Sequence, residues 1–276
     1  MADKFTVQSF KAAKAEKKPI TMLTAYDYTT ACLLEEAGVD SVLVGDSLGM
    51  VMLGYENTLR VTMDEMIHHT KAVARGTRRG LLIGDMPFLS YHVSVEEAVR
   101  NAGRFVQEGR AEAVKLEGGS DVIDKIRAIV KAQIPVLGHL GLTPQSLNIF
   151  GGFKVQGRDL EAARRLVDDA LLLQDAGVFG IVLEKVPDTL ARVITSKLEI
   201  PTIGIGAGVH CDGQVLVIQD MLGMFRRFRP KFVKAYAELG DNMVAAVKSY
   251  IDEVRSGAFP KAEHSFQMDG SLLSKL

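Results

Sequence analysis

The chain has 276 residues, 47% of them hydrophobic and 24% charged, enough for one large core or two small ones. Its 33 Lys and Arg against 34 Asp and Glu leave a net charge of −1, so no basic surplus draws it to nucleic acid or to an anionic membrane. Two distant cysteines, Cys32 and Cys211, form neither a disulfide framework nor a zinc ribbon, and no apolar run reaches the roughly 18 residues of a bilayer span, so the reducing cytoplasm is the expected setting.

In chain order, residues 6–18 are rich in Lys and Ala, carry no Arg and run into a strand, which predicts a short amphipathic cap helix rather than a transit peptide. A unit then recurs: a helix-period segment stops at Gly38, Gly109 or Gly177, and a short apolar run follows and ends in Asp46, Glu117 or Glu184. Strands are expected at residues 21–25, 41–45, 81–84, 113–116, 136–138, 180–183 and 202–205, with a weaker eighth at 215–218. Continuous apolar runs without alternation are the mark of parallel strands covered on both faces by helices. Helix starts are signalled by the capping boxes Thr62-Met63-Asp64-Glu65 and Ser94-Val95-Glu96-Glu97. Eight alternations of strand and helix, with no linker or charge block between them, predict an α/β chain folded as one (β/α)8 TIM barrel domain over residues 1–276.

Active sites of such barrels stand at the C-terminal rim of the strands. The ends of the second to sixth strands carry Asp46, Asp85, Glu117, His139 and Glu184, and Lys115, two residues before Glu117, shares its face. A single carboxylate there would be read as a helix cap or a surface ion pair, but several converging on one mouth repel and call for a cation. Oxygen ligands with one His and no thiolate favour a hard ion such as Mg2+ over zinc. Asp46 and Asp85, short and directly behind their strands, lead as ligands, with Glu117 reaching the ion through water. Lys115, in an apolar stretch, is either a structural partner of these carboxylates or a point charge for an anionic substrate. Glu184, several strands from the two aspartates and flanked by Val182, Leu183 and Val186, suits a general base. The glycines from Gly204 to Gly208 either admit a ligand to bare backbone or make a tight turn. The long connection 47–61 reads as a lid or a subunit contact, His68 and His69 as packing or surface residues, and Cys32 as a small buried hydrophobe.

The runs Met22-Leu23-Thr24-Ala25-Tyr26-Asp27, Val44-Gly45-Asp46-Ser47-Leu48-Gly49-Met50, Val114-Lys115-Leu116-Glu117-Gly118-Gly119, Gly138-His139-Leu140-Gly141-Leu142-Thr143-Pro144-Gln145-Ser146 and Ile203-Gly204-Ile205-Gly206-Ala207-Gly208 resemble the ketopantoate hydroxymethyltransferase family, and the likeness continues to Glu263-His264-Ser265-Phe266. The resemblance implies a barrel of the phosphoenolpyruvate/pyruvate type with one Mg2+ per subunit. It further implies transfer of a hydroxymethyl group from 5,10-methylenetetrahydrofolate to 3-methyl-2-oxobutanoate, through a stabilised enolate, to give 2-dehydropantoate in pantothenate and coenzyme A biosynthesis. By the same resemblance Asp46 and Asp85 hold the Mg2+ with Glu117 as a further metal carboxylate, Asp46, Ser47, Asp85, Lys115 and His139 contact the 2-oxo acid, and Glu184 accepts the proton. A cytoplasmic homodecamer without nucleic-acid or membrane partners is implied as well. Residues 267–276 are expected to extend past the family's usual end, and residues 224–229 are unusually basic. The rival enzyme is a lyase or mutase of the isocitrate lyase or phosphonopyruvate type on the same barrel. An idle binding barrel would show an apolar residue at Asp46, Asp85 or Glu184, and none stands there.

Overall fold

The computed structural model describes residues 3–152 and 154–273. Its strands are β1 Ile20–Thr24, β2 Ser41–Val44, β3 Leu81–Asp85, β4 Ala113–Glu117, β5 Val136–Gly141, β6 Gly180–Glu184, β7 Thr202–Ile205 and β8 Gly213–Leu216, all parallel, paired in chain order and closed through β8 and β1. Helices Tyr28–Ala37, Met63–Gly76, Val95–Gln107, Ile123–Lys131, Leu160–Asp175 and Asp188–Lys197 separate β1 to β7, whereas no helix lies between β7 and β8. The predicted (β/α)8 TIM barrel is therefore present. The eighth strand is corrected: it begins at Gly213 and ends at Leu216, so Val217 and Ile218 lie beyond it. Its start is set by pairing with β1, Ile20 opposite Gly213 and Met22 opposite Val215, and not by an apolar run of its own.

Burial follows the helices. Strands β2 to β5 are buried along their whole length, while β1 and β8 alternate and leave Thr21 and Gln214 exposed. Inside, Ile20, Met22, Leu43, Ile83, Leu137, Val182, Ile203 and Val215 form one apolar cluster. The expected cap helix spans Val7–Ala15, with Thr6 and Ser9 capping its start reciprocally. It closes the N-terminal end of the barrel: Phe10 is fully buried against Phe179, which precedes β6, and Lys14 reaches Asp212, which precedes β8, at 2.9 Å.

Local signals held in part. Thr62 and Glu65 cap each other reciprocally, but at Ser94 the forward half forms, its hydroxyl accepting the Glu97 N–H at 3.1 Å. Gly38 and Gly177 adopt the left-handed conformation that stops a helix, whereas in the middle unit Arg110, not Gly109, does so. Gly109 is instead required by space, since a Cβ there would meet the Phe105 carbonyl and the Thr70 side chain. Cys32 is half-buried rather than buried, and His69 has a structural role, its Nδ1 lying 2.6 Å from the Tyr26 carbonyl.

Gly84 of β3 lies under the ring of Phe105, on which an added Cβ would fall. Gly84→Ala is expected to destabilise by about 1–3 kcal/mol through overpacking, read as a lower thermal midpoint in calorimetry; an unchanged midpoint would show that Phe105 gives way freely.

The chain divides into two compact units, one containing the barrel, Met1–Ile218 with Pro230–Val233, and one made of Gln219–Arg229 with Lys234–Leu276. In the second, helix Leu239–Ser256 ends at Gly257 in the left-handed conformation. The basic run 224–229 is partly neutralised there: Arg226 pairs with Asp241 at 2.7 Å and Arg229 with Glu238 at 2.9 Å. Among the described residues no helix is long and apolar enough to cross a membrane.

Candidate active site

The barrel unit brings the predicted charged residues to one mouth. Asp85, Glu117 and Glu184 end β3, β4 and β6, Asp46 stands two residues past β2, and His139 lies within β5. Pairing sets Asp85 beside Lys115 and Glu117 beside His139, and the two-residue pleat turns Lys115 and Glu117 to the same interior face.

Lys115 is the hub. Its Nζ lies 2.9 Å from Asp85 Oδ1, 3.7 Å from Glu117 Oε1 and 3.0 Å from His139 Nδ1. His139 bridges two carboxylates, with Nδ1 3.4 Å from Glu117 Oε1 and Nε2 3.4 Å from Glu184 Oε2. The Asp46 backbone N–H donates to Asp85 Oδ2 at 3.1 Å. Asp46, Asp85, Lys115, Glu117 and His139 are buried, whereas the Glu184 side chain keeps 15% of its surface exposed and so is the most open acid of the group.

The charges are unevenly matched. Burial, aided by the charges of Asp85 and Glu117, holds the Asp46 carboxyl well above the usual carboxylate range. Burial likewise raises Asp85, although Lys115 opposes it. Burial would raise Glu117 too, but His139 and Lys115 hold it below its usual value. Lys115 is itself raised, because Asp85, Glu117 and Asp46 together outweigh the burial of its ammonium. Burial and the Lys115 charge work against protonation of His139, yet its contacts with Glu117 and Glu184 push it up to about 9. The Lys115 ammonium can only donate, so in the neutral ring Nδ1 accepts and the proton is on Nε2; in the charged ring both nitrogens carry one. In either state His139 presents an N–H to Glu184.

Among the described residues no group of three or more His, Cys, Asp or Glu stands ready to hold a metal ion. Lys115 takes the Asp85 side of the cluster, and Glu117 is turned to Lys115 and His139. The donor chemistry nonetheless fits Mg2+, which needs only one or two protein carboxylates and takes its remaining ligands from water and substrate. Asp46 and Asp85, whose carboxyls burial and neighbouring acids hold above their ordinary range, would offer such a pair.

Ser47 stands next to Asp46, its hydroxyl 2.9 Å from that of Tyr26. Three residues were given no role by sequence reasoning: Tyr26, Tyr91 and Gln145. Gln145 Nε2 donates to Asp46 Oδ2 at 2.9 Å, its backbone N–H donates to Glu117 Oε2 at 2.9 Å, and the Tyr91 hydroxyl donates to its Oε1 at 2.7 Å. Tyr26 and Gln145 fall within the runs that carried the resemblance; nothing local marks Tyr91.

The sequence pattern of the ketopantoate hydroxymethyltransferase family matches residues 4–262. A 3-methyl-2-oxobutanoate hydroxymethyltransferase of Acetivibrio thermocellus is 60% identical over 276 residues, covering 100% of this chain and 98% of its own. One of Clostridioides difficile is 61% identical over 273 residues, 99% of each chain. The family pattern ends at residue 262, and the first of these alignments continues through the whole chain. Among solved structures, a phosphonopyruvate hydrolase in complex with oxalate and Mg2+ superposes with a TM-score of 0.62 at 13% identity, over 98% of this chain and 96% of that one. A 2,3-dimethylmalate lyase of the PEP mutase/isocitrate lyase superfamily gives 0.59 at 15%, over 98% and 93%. At such identities the lyases and hydrolases share the fold alone, while the sequence relatives share the whole chain; the protein belongs to the ketopantoate hydroxymethyltransferase family.

Proposed function

We propose that this chain transfers a hydroxymethyl group to 3-methyl-2-oxobutanoate, giving 2-dehydropantoate for pantothenate biosynthesis, with 5,10-methylenetetrahydrofolate and water supplying the group. Family membership supports the reaction, and one observation carries the mechanism: an accessible carboxylate, Glu184, stands beside an N–H of His139 at the edge of a buried, charged mouth. Asp46 and Asp85, with Glu117 beside them, would hold a Mg2+ ion, which when bound would polarise the substrate carbonyl and acidify the adjacent C–H. Glu184 removes the C3 proton; water cleaves the two C–N bonds of the donor's methylene group, releasing it as formaldehyde and leaving tetrahydrofolate, and the C3 carbanion adds to that carbonyl, whose oxygen takes back the proton held by Glu184. Lys115, fully charged, faces the developing oxygen charge or the substrate carboxylate, with Ser47 and His139 completing the polar lining. Burial of the cluster keeps bulk water away from those charges, which strengthens each interaction.

Every residue in this scheme lies in the barrel unit. One ion per subunit, the homodecamer and the cytoplasmic setting belong to the same proposal, and sedimentation tests the assembly. The reaction is tested by proton NMR in D2O: exchange of the C3 hydrogen of 3-methyl-2-oxobutanoate is expected with Mg2+ and without folate, and 2-dehydropantoate once 5,10-methylenetetrahydrofolate is added. A chain that leaves that hydrogen in place, or instead releases a two- or three-carbon fragment from a longer acid, does not carry out this chemistry.

A further inference from the structure

We infer that Gln145 is a positioning residue that sets the carboxylates of Asp46 and Glu117 together, with Tyr91 fixing its orientation; the inference rests on the catalytic reading above. Gln145 sits in the turn Pro144–Ser146 just past β5 and is 5% exposed, so its polar groups must find partners within the protein. All of them do. The amide nitrogen donates to Asp46 Oδ2 at 2.9 Å and to the Met86 carbonyl at 3.0 Å. A carbonyl can only accept, so the nitrogen must lie on that side and the amide cannot be flipped. Its oxygen consequently receives the Tyr91 hydroxyl at 2.7 Å. Tyr91 is itself buried and held in place by the Glu117 backbone, whose N–H donates to its hydroxyl oxygen at 3.2 Å.

The backbone of Gln145 adds the decisive bond. Its N–H donates to Glu117 Oε2 at 2.9 Å, while Glu117 Oε1 faces His139 at 3.4 Å and Lys115 at 3.7 Å. The two oxygens of Glu117 are thus assigned to different partners, and rotation of its carboxylate is blocked. One residue past β5 therefore fixes acids that follow β2 and end β4, together with the backbone just past β3. The side chain thus holds Asp46 and the main chain Glu117, two acids from separate strands. Outer partners of this kind typically govern metal affinity and activity by 10- to 100-fold.

The test uses the full chain with Mg2+ and 3-methyl-2-oxobutanoate. Gln145→Met keeps the length of the side chain and removes both N–H donors. Titration calorimetry is expected to show Mg2+ affinity in the presence of the oxo acid weakened by roughly tenfold or more. C3 exchange should fall in parallel and recover substantially at high Mg2+, a shift in the metal requirement rather than in the maximal rate. Tyr91→Phe keeps the amide but loses the orienting hydroxyl, and a smaller loss of the same kind is expected. A folded Gln145→Met chain with wild-type Mg2+ affinity and exchange overturns the inference; if that variant does not fold, wild-type affinity in Tyr91→Phe overturns it equally. Absence of exchange in the wild-type chain overturns the catalytic reading, whereas exchange in the wild-type chain with unchanged Mg2+ affinity in the variants overturns this inference alone, so the two failures are distinguishable.

Discussion

Glu184→Gln is expected to slow C3 hydrogen exchange of 3-methyl-2-oxobutanoate by roughly 10²- to 10⁴-fold, the usual contribution of a positioned general base. The substitution preserves size and keeps a neutral polar group 3.4 Å from His139 Nε2, where the Glu184 carboxylate stands. Only the capacity to take a proton is removed. Because Asp46, Asp85 and Glu117 lie apart from this change, Mg2+ and oxo acid should bind the variant as they bind the parent, which calorimetry checks beside the NMR exchange rate. Exchange at the parent rate in Glu184→Gln would take the base role from this residue and return it to the aspartate side of the mouth.

Lys115→Leu is expected to be the most destabilising single change at the site. The ammonium is buried with Asp85 at 2.9 Å and Glu117 at 3.7 Å, and its loss leaves those acids, with Asp46, facing one another uncompensated. Breaking a buried ion pair by removing one partner costs about 3–5 kcal/mol. In a chain of this length that lowers the thermal midpoint by roughly ten degrees. The pH dependence has a definite sign. Asp46 and Asp85 already titrate above 3.8, their ordinary value, so these two groups hold more protons in the folded chain than in the unfolded one, and their contribution to stability falls as pH rises above that value. Loss of the neighbouring positive charge moves both acids further up. The variant should therefore be weakest at neutral pH and regain part of its stability as the pH is lowered toward about 5. A midpoint within a degree or two of the parent across that range would mean that the cluster relaxes and admits water.

Much of this site is legible in the sequence. Strands β2 to β6 are covered on both faces, so each is a compact apolar run, and the acid that follows or ends the run announces the rim: Asp46, Asp85, Glu117, Glu184. The pleat of two then puts Lys115 with Glu117 by counting alone. Where coverage is partial the signal fades, and the apolar run 215–218 starts two residues after β8 does, with Gln214 exposed and Gly213 at its head. The roles of Gln145 and Tyr91 were not legible for a different reason. Locally, Thr143-Pro144-Gln145-Ser146 is a turn, and a polar residue in a turn is expected to face water. Only the closure of the barrel brings that amide to an aspartate 99 positions away.

That closure has a consequence for how the protein is made. The first strand, Ile20–Thr24, has Gly213–Leu216 as one of its two neighbours, so one of its edges stays bare while nearly the whole intervening chain is synthesised. Until the last strand emerges from the ribosome, the nascent sheet is an open ribbon with two unpaired rims, and such rims invite pairing with other chains. The late, Gly-headed strand is therefore the step at which a sticky intermediate becomes a sealed cylinder, and mutations there should reduce the yield of folded protein more than they alter the finished molecule.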